Sequence, residues 1–300
     1  MKKYFGGVEA GGTKFICIVA AGPGDILAQE RFPTTRPDET IGKTIEFFQP
    51  FVASGQLDSI GIASFGPVDL DEKSRTYGYI TSTPKPGWAQ ADLVSPIQKG
   101  LGVPCAFDTD VNAAARGEYH WIPENRDLDP LLYITVGTGI GVGGIVNGKT
   151  LHGLIHPEAG HMFIPHDHAA DPFPGVCPFH GDCMEGLASG PAMAKRWGQP
   201  AETLPDNHPG WDLEAWYLGF MVSNLLLNFS PKRIVLGGGV PQHHGLIDKV
   251  RKNVQKQING YIRSPRVLEE IDQLIVPPAL GNQAGVMGAI ALAINLTENR

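Results

Sequence analysis

The chain has 300 residues, 42% of them apolar, and a formal net charge of −7. At about 100–200 residues per domain this length predicts two units, and the apolar fraction is enough for packed cores. The negative balance, with no basic run, gives nucleic acid or an anionic membrane no electrostatic hold, and no apolar run reaches the roughly 18 residues of a membrane span. The opening "MKKYFGGVEAGGTKF" lacks a secretory apolar region, so a cytoplasmic protein is expected.

Tyr4 to Val8, Phe15 to Ala20 and "DILAQERF" read as three short strands joined by tight turns. "PDETIGKTIEFFQPFVA" places Ile41, Ile45 and Phe48 at helical spacing, with Pro50 expected to limit or kink the helix. "SIGIASF" reads as a buried strand, "WAQADLVSPIQKGLG" as a helix and "VPCAF" as a strand. "DTDVNAAARGEYHW" then turns from strand to helix, because Asp108, Thr109, Asp110 and Asn112 supply capping oxygens before an alanine run. An echo follows about 130 residues after the start: "LLYITVGTGIGVGGIVNGK" repeats an apolar strand, a Gly-Thr turn and a second strand. "WDLEAWYLGFMVSNLLLNFS" is expected as a buried helix, "KRIVLGGGV" as a strand running into glycines, "HHGLIDKVRKNVQKQI" as a charged-face helix, "LIVPPAL" as a last strand and "AGVMGAIALAINL" as a small-residue helix. The class is α/β with two similarly begun halves.

"GGIVNGKT", Gly143 to Thr150, fits the pattern of a phosphate-cradling P-loop. A P-loop must run into a helix whose amides hold the phosphate. Here Asn147-Gly148 signals a hairpin instead, and "LHGLIHPEAGH" cannot open a regular helix. The overlapping "GIGVGG" fails as a dinucleotide fingerprint for the same reason. Glycine still permits close backbone approach, so two Gly-Thr corners in corresponding places can clamp one polyphosphate between two lobes.

Cys17 and Cys105 lie in apolar runs and read as buried small residues. His161, Cys177, His180 and Cys183 form H-x15-C-x2-H-x2-C, whose final C-x2-H-x2-C suits tetrahedral zinc. His156, His166 and His168 are rival fourth ligands. Four protein donors would close the coordination sphere, which favours a structural ion.

Taken in order, "GVEAGGTK", "DTDVNAAARGE", "VGTGIGVGGIVNGK", "HPEAGH", "CPFHGDCMEG" and "VLGGGV", between residues 7 and 240, resemble the ROK family of bacterial sugar kinases. The likeness is to its zinc-containing fructokinase branch, since many members carry three cysteines where His180 here replaces one. The resemblance implies two RNase H-like lobes of the actin and hexokinase type around a cleft: residues 1–118 joined by a C-terminal helix 284–300, and residues 119–283 with a zinc loop at 156–185. It implies ATP-dependent phosphorylation of a hexose, most simply D-fructose to fructose 6-phosphate, with Mg²⁺ on the nucleotide, structural Zn²⁺ and a homodimer. Neighbouring specificities are glucose, mannose and N-acetylhexosamine. A zinc hydrolase is disfavoured by the absence of H-E-x-x-H, and a DNA-binding regulator by the lack of a basic module before the first strand.

The same resemblance assigns Gly11, Gly12, Thr13 and Lys14 to one phosphate corner and Gly137, Thr138, Gly139 and Gly141 to the other. Gly237, Gly238 and Gly239 would meet the adenosine end. It selects Asp110 over Asp108 as general base and names Asn112, Glu158, His161 and Glu185 as sugar contacts. Of the zinc candidates it names His161 as the fourth ligand, sharing its ring between metal and sugar. Thr109 and Val111 depart from the usual Asn and Ala. Glu9 stands where many members carry Asp, and the longer side chain would reach Mg²⁺ through water.

Overall fold

The computed structural model describes residues 3–298 as two five-stranded sheets of one plan. The first holds β1 (Tyr4–Ala10), β2 (Lys14–Gly22), β3 (Asp25–Pro33), β4 (Leu57–Ser64) and, beyond a small pair β5 (Tyr79–Ile80) and β6 (Ala91–Asp92), β7 (Cys105–Thr109). Its order is β3-β2-β1-β4-β7, antiparallel through the first three strands and parallel afterwards. The second holds β8 (Leu131–Val136), β9 (Ile140–Val146), β10 (Lys149–Thr150), β11 (Arg233–Gly237) and β12 (Ile275–Val276), in the order β10-β9-β8-β11-β12 with the same senses. The echo in the sequence is therefore an echo of topology.

Helices α1 (Pro37–Ala53), α2 (Val94–Leu101) and α3 (Asp110–Trp121) belong to the first half of the chain. After β10 come α4 (Met184–Ala188), α5 (Gly190–Trp197), α6 (Gly210–Phe229), α7 (Leu246–Ile258), the short α8 (Pro265–Leu268) and α9 (Ile271–Leu274), and finally α10 (Ala284–Glu298). Two expectations are corrected. The helix read over "WAQADLVSPIQKGLG" is only α2, because Ala91–Asp92 pairs as a strand; Pro96 sits in the first turn, where its missing N–H would be unsatisfied anyway. Cys105 is half-buried rather than buried, since β7 is an edge strand, whereas Cys17 is fully enclosed. Pro50 lies in the last turn of α1, which continues to Ala53.

Small residues decide how the halves join. At particular points helix α10 meets the first sheet and α3 backbone to backbone. A Cβ on Gly61 would fall 1.9 Å from the Ala289 carbonyl oxygen, and one on Gly288 would fall 1.8 Å from that of Ala113. Ser59 Oγ donates to the Ala293 carbonyl at 2.9 Å, and Trp121 Nε1 to that of Met287 at 3.0 Å. On its other side α3 meets β9: a Cβ on Gly143 would lie 2.5 Å from the Val111 carbonyl oxygen. That glycine, the first of the apparent P-loop, exists to let helix and strand touch. Asn147 (φ 52°) and Gly148 (φ 71°) then turn β9 into β10 as the hairpin signal predicted. None of the described helices is long and apolar enough to cross a membrane.

Candidate functional site

Two glycine corners end the leading hairpins of the two sheets. In the first, Gly11 N–H donates to the Lys14 carbonyl at 3.0 Å, while Thr34 braces the turn with its hydroxyl on the Gly11 carbonyl (2.6 Å) and its N–H on that of Thr13 (3.0 Å). In the second, Gly137 N–H donates to the Gly139 carbonyl at 2.9 Å across Thr138, and Gly190 N–H donates to the Gly137 carbonyl at 2.8 Å. A Cβ on Gly12 or Gly137 would meet nothing within 4 Å, so both turns present bare backbone. A Cβ on Gly141, within β9, would instead lie 3.5 Å from the Val111 side chain.

Between the corners lies the N-terminus of α3. Thr109 caps it, its hydroxyl accepting the Asn112 N–H at 3.1 Å. Asp110 is the first helical residue. Its Oδ1 accepts the Val111 N–H at 2.8 Å, which leaves Oδ2 to receive a proton. Burial, then the charges of Glu9 and Glu158, pushes its carboxyl up to about 7. Glu158 is likewise pushed up to about 7, by burial and then by Glu185. Glu9, at the end of β1, is raised by burial, and its Oε2 is buried without a hydrogen-bond partner.

Asp108 is a different residue altogether. It is 1% exposed, and both oxygens are taken: Oδ1 by the Thr109 N–H and Asn112 Nδ2 (2.8 Å each), Oδ2 by His152 Nε2 (2.9 Å). Each of its oxygens is thus engaged by the protein itself. Asn112 requires correction. It is fully buried, its Nδ2 on Asp108 and its Oδ1 accepting the Gly144 N–H at 3.2 Å, so it binds the protein's own strand rather than facing the cleft. Two steps along a helix turn a side chain through about 200°, which carries Asn112 away from the side that Asp110 faces.

The Cys/His segment is folded tightly. Cys177 and Gly181 pair through both backbone bonds (3.1 and 2.9 Å), with Gly181 at φ 66°. His161 follows Glu158 in one tight turn, its N–H on the Glu158 carbonyl at 3.0 Å. His161 Nδ1 lies 3.7 Å from Cys177 Sγ and 3.5 Å from Cys183 Sγ, and His180 Nδ1 lies 3.6 Å from Cys177 Sγ. With Zn–S of about 2.3 Å and Zn–N of about 2.0–2.1 Å, the edge of a tetrahedron between S and N is about 3.6 Å. The four donors therefore suit one tetrahedral ion, and His161 Nε2 stays free.

The rival ligands are occupied elsewhere. His166 is held on both ring nitrogens, by Asp182 Oδ2 (3.0 Å) and the Asp171 carbonyl (2.9 Å), and His168 stands near the same Asp182 oxygen at 3.6 Å. His156 lies between Val68 and Glu158. Glu185, two residues after Cys183, accepts the Ile140 N–H on Oε2 at 2.9 Å, and a Cβ on Gly139 would strike that oxygen at 2.7 Å. Its carboxylate thus anchors the second corner, a use that sequence spacing did not indicate.

A cavity of about 280 Å³ opens beside the end of β11, lined by Gly237, Gly238, Pro241, Gln242, Pro278 and Asn282. The glycines here have two reasons to be glycine. Gly238 has φ 95° and would drive a Cβ to 2.3 Å from the Val136 carbonyl oxygen, and Gly237 would strike Tyr133 Oη. Only Gly239 faces open space. A larger hollow of about 490 Å³ beside α2, at Ser95, Gln98 and Pro104, holds none of the predicted site residues.

Known proteins are similar to this chain along its length. A Bacillus subtilis (strain 168) protein is 47% identical over 288 residues, covering 96% of this chain and 94% of its own. The fructokinase of Zymomonas mobilis is 44% identical over 304 residues, covering 100% of this chain and 99% of its own. Among solved structures, a ROK family glucokinase from Streptomyces griseus in complex with glucose and AMPPNP superposes with a TM-score of 0.74 at 25% identity, covering 97% of this chain and 99% of that one. The profile of the ROK family matches residues 5–296, and the chain belongs to that family.

Proposed function

We propose that the protein is an ATP-dependent hexose kinase that converts D-fructose to fructose 6-phosphate, with Asp110 as general base. The observation that carries this is the carboxyl of Asp110: it sits between the two glycine corners with one oxygen free, and it titrates near neutrality. A base so tuned takes a hydroxyl proton at working pH yet is a strong enough acceptor to help the attack. Asp110 Oδ2 would accept the proton of the sugar 6-hydroxyl as its oxygen bonds to the γ-phosphorus; the bond to the β–γ bridging oxygen breaks, and ADP leaves. The corners at Gly11–Gly12–Thr13–Lys14 and Gly137–Thr138–Gly139 would hold the phosphates from either side with backbone N–H groups. The cavity at Gly237 and Gly238 would take the adenosine.

Mg²⁺ would neutralise charge on the transferring phosphates. The orphaned, buried Glu9 Oε2 suits support of that ion through water. Zn²⁺ would be held by His161, Cys177, His180 and Cys183 as a structural staple; with four protein donors the site has no open position for hydrolysis. Glu158 and the free Nε2 of His161 would then face the sugar, while Glu185 acts from behind the second corner.

Fructose is favoured over glucose because the relative named fructokinase is 44% identical along essentially the whole chain, against 25% for the glucokinase. ADP release measured across fructose, glucose, mannose and N-acetylhexosamines tests this. Fructose should give the highest kcat/KM, and a panel led by glucose would overturn the assignment.

A further inference from the structure

We propose that His166, His168 and Asp182 form a second metal site, for a zinc-like divalent ion, beside the Cys/His staple and sharing none of its four ligands. These are residues that the staple leaves over: two of the rival histidines and the aspartate just before Cys183. One nitrogen of each ring and one carboxylate oxygen all lie within 4.8 Å of one another. His166 Nδ1 is 3.0 Å and His168 Nε2 is 3.6 Å from the same atom, Asp182 Oδ2. With metal–nitrogen and metal–oxygen bonds of about 2.0–2.2 Å, the N–O edge of a tetrahedron is about 3.4 Å, which falls between those two distances. Two imidazoles and a carboxylate are a donor set that suits zinc.

The hydrogens of His166 say where the ion sits. Its Nε2 lies 2.9 Å from the Asp171 carbonyl oxygen, which can only accept, so Nε2 carries the hydrogen. In the neutral ring Nδ1 then holds a lone pair, and it faces a carboxylate oxygen that holds lone pairs too. A positive species belongs between them, either a second proton on the ring or a metal ion. A proton needs one donor and one acceptor. Here a second imidazole comes to the same oxygen, its ring centroid 4.1 Å from that of His166. A histidine whose far nitrogen donates to a backbone carbonyl is oriented as metal-binding histidines are, with the near nitrogen bare. The His166 side chain is 4% exposed and so held in place, whereas those of His168 and Asp182 are 68% and 32% exposed. An ion could therefore enter from solvent and keep water in its fourth position. Once bound, it would tie the segment from His166 to Asp171 onto the turn that carries His180 and Cys183.

The test counts metal on the full-length protein, free of any histidine tag, by equilibrium dialysis against Zn²⁺. Wild type should bind two ions per chain. His168→Ala and Asp182→Asn should each keep one and bind the other at least about 10–100-fold more weakly, since losing a ligand costs no less than losing the partner behind one. Co²⁺ then tells the sites apart. One equivalent should show thiolate-to-metal charge transfer, which Cys183→Ser diminishes, and the other should show only the weaker bands of nitrogen and oxygen ligands, which His168→Ala removes. One ion per chain in wild type overturns the proposal and leaves His166 and Asp182 as an imidazolium–carboxylate pair. Two ions in both wild type and His168→Ala also overturn it, because the second ion then lies elsewhere. Should Asp182→Asn disturb the staple as well, the solvent-exposed His168→Ala carries the comparison alone.

Discussion

The two glycine corners have the same shape and different foundations. The first is braced from its own sheet, by Thr34 at the end of β3. The second hangs on Glu185 and Gly190, which stand immediately after the Cys/His cluster. One corner is thus fixed by ordinary sheet neighbours, and the other by a Pro- and Gly-rich segment with no regular structure of its own between Gly160 and Met184. A duplicated plan does not give duplicated mechanics: the second corner should depend on the metal, and the first should not.

The largest effect expected concerns the residue both corners flank. Asp110→Asn should lower kcat by about 10²–10⁴-fold, the usual worth of general base catalysis. Zinc content should stay unchanged and both corners intact by hydrogen exchange. A near-normal kcat would remove Asp110 as base.

Next comes the metal. Cys183→Ser, or removal of the ion by a strong chelator, should loosen the second corner alone. The Ile140 amide, bonded to Glu185, should lose hydrogen-exchange protection while the Gly11 amide keeps its own. Equal loss at both amides would show that the asymmetry is not real.

A smaller effect separates glycines that face open space from glycines that face protein. Gly288→Ala forces a methyl into the Ala113 backbone and should cost about 1–3 kcal/mol or more in denaturant unfolding. Gly12→Ala has open space and should leave stability nearly unchanged while raising the ATP KM. A large stability loss in Gly12→Ala would mean that this corner, too, is held by packing.

The smallest is a pH effect. Asp110 and Glu158 titrate near 7, whereas unfolded carboxyls titrate near about 4. Between those values the folded form keeps protons that the unfolded chain has released, so these groups stabilise fully below about 4 and lose that contribution as pH rises through about 7. The Tm of Asp110→Asn relative to wild type should therefore be higher at pH 8 than at pH 5. Activity runs the other way, since the base must be ionised, and kcat/KM should climb to a plateau above about pH 7. An Asp110→Asn difference independent of pH would contradict the raised carboxyl.

Much of this was readable in the amino acids. The strand–Gly-Thr–strand echo specified two like sheets, because alternation and turn residues are local signals. The C-x2-H-x2-C spacing likewise brought its donors together within one turn. What escaped was direction. Asn112 carries a sugar-binding type of side chain but lies on the far side of α3, and counting 100° per residue from Asp110 would have shown it. Asp108 and Asp110 are equivalent in composition, and only the positions of His152 and Asn112 distinguish a carboxylate engaged on both oxygens from one with an oxygen free. Glu185 and His156 act on partners 45 and 88 residues away, and no spacing rule reaches that far.

The backbone contact of α10 with the first sheet bears on how the protein is made. Phe5, Ile18 and Ala20 are covered by Val286, Met287 and Ile290. At about 5–20 residues per second, the roughly 180 residues between β7 and α10 take on the order of 10–40 s to synthesise. For that interval the nascent first sheet lacks the helix that covers this apolar face.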